Sequence, residues 1–239
     1  MTATESSDVS GDLAAAGVEW DLSSLLKDVS TPDELLTQAE TIADSLVPLR
    51  GQIATLDAAG LADVMTSLAE VQELMSRAGH YGMLSFSENT ADPERGALIQ
   101  RMQEESTTIG TKLLFIDLEF AALDDEAANT LLADDRLAFC AHHLRNTRRN
   151  RPHLLTEDQE TVLLETSVAG ASAWVRLFSE LTSAIEVELP DPEATSEDDE
   201  AATRTASLEE GLSLLQHPDR DTRASAAAAV TDGLSLIHI

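Results

Sequence analysis

Cysteine is nearly missing from this sequence. Cys140 is the only one in 239 residues, so no disulfide can close within the chain. Aromatic residues supply only 3% of positions while hydrophobic residues supply 43%, so a core has to be assembled mainly from Leu, Ala, Val and Ile. Positive charge is scarce: 15 Lys and Arg stand against 44 Asp and Glu, a net charge of −29, and only Lys27 and Lys112 are lysines. A surface of that sign repels phosphate backbones and anionic lipid, which argues against nucleic-acid and membrane partners. It keeps the chain solvated; attraction of cationic peptides is the narrower reading. The shortage of lysine fits either GC-rich coding or adaptation to salt. No apolar run is long enough to span a bilayer. The opening MTATESSDVSGDLAAAG has neither a basic stretch nor an apolar one, so no signal peptide is expected and the location expected is cytoplasmic.

What is present is helical punctuation. Residues 1–17 are small, polar and acidic, and are expected to be disordered. Glu19 to Leu26 reads as the first ordered segment. Thr31 to Glu34 (TPDE) spells a capping box with Pro at the first helical position, followed by Leu35, Ala39, Ile42 and Leu46 at helical spacing. Asp57 opens a second stripe, Leu61, Val64, Met65, Leu68, Leu74 and Met75, which runs to about Phe86. Asp92 caps a third helix, with Leu98, Ile99, Met102, Ile109, Leu113 and Ile116 on its inner face. Asp134 or Asp135 opens a helix through Leu137, Phe139, Cys140 and Leu144 that has to stop before Pro152. A second box, Thr156 to Gln159 (TEDQ), leads into Val162, Leu163, Val168, Trp174, Leu177, Phe178 and Leu181, with a break near Gly170. A third, Ser207 to Glu210 (SLEE), precedes a last helix that is alanine-rich from Ala224 to Val230 and has a stop at Gly233. Only Ile185 to Leu189 alternates like a strand. The fold expected is mainly α, a multi-helix array with at most a small hairpin near residues 185–206.

Chemistry-bearing motifs are few. There is no Gly-rich phosphate loop, no Gly-x-Ser-x-Gly elbow and no His-Glu-x-x-His. His142 and His143 sit side by side, but neighbours on a helix point about 100° apart and cannot readily chelate one ion. Cys140 reads as a small core residue with nothing nearby to activate it. Arg145, Arg148, Arg149 and Arg151 cluster at a helix C-terminus, where they favour the negative dipole end, bridge to acidic helices, or form a site for a substrate carboxylate. Trp174, Leu177 and Phe178 read as a core anchor between helices. No catalytic, cofactor-binding or metal-ligating residue is expected in this chain.

Four stretches in order, WDLSSLL, RRNRPHLLTEDQE, GASAWVRLFSEL and HPDRDTRASAAAAV, resemble the N-terminal half of the oligoendopeptidase F family, zinc oligopeptidases related to thimet oligopeptidase. The similarity runs from about Trp20 to Gly233, with residues 32–123 matching only in pattern. The resemblance implies a mostly helical, two-lobed enzyme that cleaves short peptides inside a deep channel. Its zinc ligands and general base come from a His-Glu-x-x-His helix and a further Glu in the C-terminal half, so none carries over to a position here. The matching motifs imply scaffold: a helix-loop-helix corner at RPHLLTEDQE and packing at AWVRLF.

The final LSLIHI coincides with a translation of a transposon mosaic end used in sequencing libraries. Leu234–Ile239 is therefore expected to be adapter-encoded, with the native reading stopping at about Gly233. The domain reading is a disordered stretch 1–17, a helical N-terminal domain 18–185, an acidic loop or hairpin 186–206, and the start of a truncated helical region 207–233. The function expected is the non-catalytic N-terminal part of a zinc oligoendopeptidase, walling its substrate channel. A freestanding acidic helical adaptor and a chain with no function of its own are the rivals.

Overall fold

In the computed structural model, the structure describes residues 20–191 and 203–235. The expected disordered segment 1–17, most of the acidic loop and residues 236–239 lie outside the described residues. The architecture is mainly α, with one two-stranded antiparallel sheet among the described residues. The chain divides into two compact units, Met1–Thr166 and Ser167–Ile239.

The first unit is built on three mutually packed helices: α2 (Pro32–Leu46), α3 (Ala58–Glu88) and α4 (Pro93–Ala122). A short α1 (Ser23–Leu26) is held against α3 by Arg77, which donates to the carbonyls of Leu25 and Leu26 at 2.8 Å each. The predicted stripes face inward. Leu35, Leu36, Leu61, Val71, Met102 and Ile116 are buried in one continuous core. The scarce aromatics are not wasted on it: Phe115 and Phe120 are among its largest fully buried side chains. At Gly82 the long helices come close enough that a Cβ would sit 3.2 Å from Met102 Cγ and 3.3 Å from Ile99 Cα. Both lysines are used as ties, Lys27 to Glu73 of α3, and Lys112 of α4 to Glu40 and Asp44 of α2.

Beyond α4 the chain makes α5 (Asp125–Leu132), α6 (Ala141–Arg149) and α7 (Glu157–Ser167). The sequence reading had no helix at α5, although Asp124 caps it through the Ala127 N–H at 2.8 Å. The helix expected to open at Asp134 or Asp135 is interrupted. Asp134 caps only a 3-10 turn, Asp135–Leu137, and α6 starts after Cys140. A short polar side chain that bonds the backbone two residues on favours such a tight turn over an α-helix.

The second unit begins with a π-helical turn, Val168–Ser172, and α8 (Ala173–Ser183). The expected break at Gly170 is thus a widened turn. Strands β1 (Glu186–Pro190) and β2 (Thr203–Ser207) pair with Val187 opposite Ala206 and Leu189 opposite Arg204. Val187, Leu189 and Ala206 turn inward onto Leu208 of α9 (Leu208–Leu214) and Ala226, Ala229 and Val230 of α10 (Arg220–Ser235). Gly233 does not stop α10, which runs through it to Ser235. Its role is steric: a Cβ there would meet Val187 Cγ1 at 2.9 Å and the Glu186 carbonyl at 3.2 Å.

The three capping boxes form to different degrees. Thr156 and Gln159 exchange both bonds, at 3.2 and 3.4 Å. Ser207 accepts from the Glu210 N–H at 3.2 Å, but the Glu210 carboxylate turns to Arg204, an ion pair stronger than the return bond. Thr31 makes no side-chain cap, and Glu34 reaches past it to the Ser30 N–H at 3.3 Å.

Candidate functional site

Helices α3 and α4 each carry a row at helical spacing, partly in the core, that borders a cleft. On α3 it is Met65, Leu68, Ala69 and Gln72; on α4 it is Gly110, Leu113, Leu114 and Asp117. Both follow the i, i+3, i+4, i+7 spacing of one helix face. Together with Met75, Phe139, Cys140, His143 and Leu164 they enclose an apolar cleft of about 660 Å³ within the first unit. Gly110 leaves its floor open: a Cβ there would touch only Leu164, at 3.6 Å.

One carboxylate stands at this cleft. Asp117 Oδ1 is occluded from solvent and accepts no hydrogen bond among the described residues. His143 Nε2 lies 3.4 Å from it, close enough for an ion pair when the imidazole is protonated but not aligned for a hydrogen bond. Burial pushes the Cys140 thiol up, and its Sγ lies 3.5 Å from the Leu137 carbonyl, so it is a neutral wall residue. Sequence reasoning missed Asp117. The signal was there: a carboxylate terminates an otherwise apolar row that starts at a glycine.

The other candidates do not converge. His142 faces Asn146 at 3.0 Å while His143 faces Asp117, so the adjacent pair points apart. Among the described residues no three His, Cys, Asp or Glu side chains gather within metal-ligand reach. Of the four arginines, Arg148 is turned inward. Its Nη1 donates to the carbonyls of Phe120, Ala121 and Leu123, closing the C-terminus of α4, and its Nη2 bonds Asp125 at 2.5 Å. Arg151 lies 3.5 Å from Asp125 and lines a shallow cleft beside Glu119 and Glu157, where two carboxylates oppose an anionic ligand. Arg145 and Arg149 are exposed.

Trp174, Leu177 and Phe178 are not the core anchor that their spacing predicts, and AWVRLF is not buried packing. No residue of α8 is buried; Trp174 is 71% and Phe178 68% exposed. Helical spacing puts them on one face, with Leu181, but does not say what covers that face.

The arrangement is a helical array with a single hairpin among the described residues. Residues 119–186 match the family model described as Oligopeptidase F. The fold resembles the crystal structure of oligoendopeptidase-F from Enterococcus faecium with a TM-score of 0.69 at 16% identity, covering 86% of this chain and 38% of that one. A candidate peptidase from Chlamydophila abortus aligns at a TM-score of 0.45 and 16% identity, over 91% of this chain and 36% of that one. No curated protein matches the sequence. In fold this chain resembles part of oligoendopeptidase-F, and it spans well under half the length of the structures it matches.

Proposed function

We propose that this chain is the N-terminal, non-catalytic part of a zinc-dependent oligoendopeptidase, and that it walls the channel that admits short peptides. The observation that carries the reading is the coincidence of two matches. The family match covers residues 119–186, and the Enterococcus faecium fold extends over 86% of the chain but only 38% of the enzyme. The donor chemistry agrees with this division of labour. His142, His143 and Cys140 each have a local contact, and the proposal assigns zinc and the general base to parts of the parent outside this sequence. When bound there, zinc would polarise the peptide carbonyl and supply an activated water. This chain contributes shape and charge, an acidic helical wall that excludes folded proteins. No helix among the described residues is long and apolar enough to cross a membrane, and a cytoplasmic location remains part of the proposal.

The exposed face of α8 favours a second reading, a freestanding adaptor that binds partners through Trp174, Phe178 and Leu181. Sequencing the source genome downstream of codon 233 separates the two. A frame that continues into His-Glu-x-x-His supports the peptidase. A stop codon or an unrelated frame supports the adaptor.

A further inference from the structure

We infer that the cleft of the first unit is a binding site for a small amphiphilic cation, an apolar body carrying one ammonium or guanidinium group. The inference concerns unit 1 alone and does not depend on the peptidase reading. Its volume of about 660 Å³ falls among clefts that hold compact organic ligands, roughly 300–1,000 Å³. The walls are apolar and adaptable: Met65 and Met75 can reshape around a ligand, and Leu68, Leu113 and Leu164 supply area. Three titratable groups line it, Asp117, Cys140 and His143. The thiol is held neutral by burial, so Asp117 is the one formal charge when the imidazole is neutral. Asp117 Oδ1 is shielded from water yet accepts no hydrogen bond among the described residues. The Asp117 side chain as a whole is 46% exposed, and a cationic N–H donor at the cleft would give Oδ1 the hydrogen bond it lacks while pairing the charge. An anionic ligand would meet the Asp117 charge, offset only by His143 when its imidazole is protonated, and the chain's net charge of −29 adds to that repulsion. Gly110 gives the apolar body its room.

The test uses the 239-residue chain with 4-phenylbutylamine as the cation, 4-phenylbutanol as its neutral analogue and 4-phenylbutyrate as its anionic one. Binding is read by calorimetry and by methyl chemical shifts of Met65 and Met75. The amine should bind at least about tenfold more tightly than the alcohol, with butyrate weakest. Asp117→Asn should cost the amine about tenfold and leave the alcohol nearly unchanged. Glu70→Gln removes the same charge from an exposed position on α3 and should change neither. Gly110→Leu should block both ligands. An acetylated, amidated Leu-Lys-Leu peptide tells the two natural sources apart. Shifts at the same methyls show that a basic side chain can enter, and shifts from the amine alone restrict the site to free amines. Equal binding to wild type and Asp117→Asn, an equal loss in Glu70→Gln, or calorimetric binding without shifts at Met65 and Met75 would overturn the assignment.

Discussion

Two side chains show how differently single residues can be read. Arg148 looked like one of four equivalent arginines, and in the structure it closes a helix to which it does not belong. It is 12% exposed and satisfies three C-terminal carbonyls of α4. Arg148→Ala should therefore destabilise the first unit by roughly 2 kcal/mol or more, because carbonyls are left without donors. Arg148→Lys should recover only part, since one ammonium cannot reach in the same fork. Arg145→Ala, at an exposed position, should stay within about 0.5 kcal/mol in the same urea titration. Nothing in LRNTRRNRPH distinguishes the two, because the difference lies in carbonyls some 25 residues away in sequence. Glu105 of α4 makes a different point. Burial first, and then Asp33, hold its carboxyl above the ordinary value of 4.5. A group raised in the folded state contributes stability below its unfolded value and loses it as pH rises through the folded one. Glu105→Gln should therefore raise the melting temperature at pH 7, and the gain should vanish near about pH 4.

Elements were legible where the signal is local. The caps at Asp57, Asp92 and Thr156 and the long stripes of α2, α3 and α4 follow from spacing alone, and all are found. The first strand followed from alternation in Ile185 to Leu189, whereas its partner Thr203–Ser207 was not marked by any such pattern and the hairpin stood only as an alternative to an acidic loop. Elements were misread where a distant partner decides. Asp134 spends its cap on a 3-10 turn, and α8 has an apolar face without a cover among the described residues. Gly233 was read as punctuation because glycine commonly ends helices, yet here Val187 and the Glu186 carbonyl occupy the space a side chain would need. This has a consequence at the scale of the second unit. Gly233→Val should destabilise it by about 1–3 kcal/mol through overpacking, although glycine is the poorer helix former. Trp174 lies in this unit and Trp20 in the other. Fluorescence-detected denaturation of a Trp20→Phe background would thus report the second unit alone. An unchanged or raised midpoint would show that α10 is free to move off the hairpin.

At the scale of the molecule, charge and exposed apolar surface act together. A net charge of −29 opposes compaction, and salt screens it within about 10 Å at 0.1 M and less above. Molar salt should make the isolated chain more compact and raise its melting temperature, measured by scattering and calorimetry. A melting temperature independent of salt would show that repulsion does not limit stability. We propose that this chain is scaffold for chemistry performed elsewhere in a longer peptidase. The measurement that tests it most directly is turnover of a quenched fluorescent peptide. It is made with and without chelator, on residues 1–233 and on the chain extended through its natural downstream frame. Residues 1–233 should show no turnover, and the extended chain should show turnover that a chelator abolishes and zinc restores. Chelator-sensitive turnover from residues 1–233 alone would overturn the proposal, and would mean a site assembled around His142 or His143.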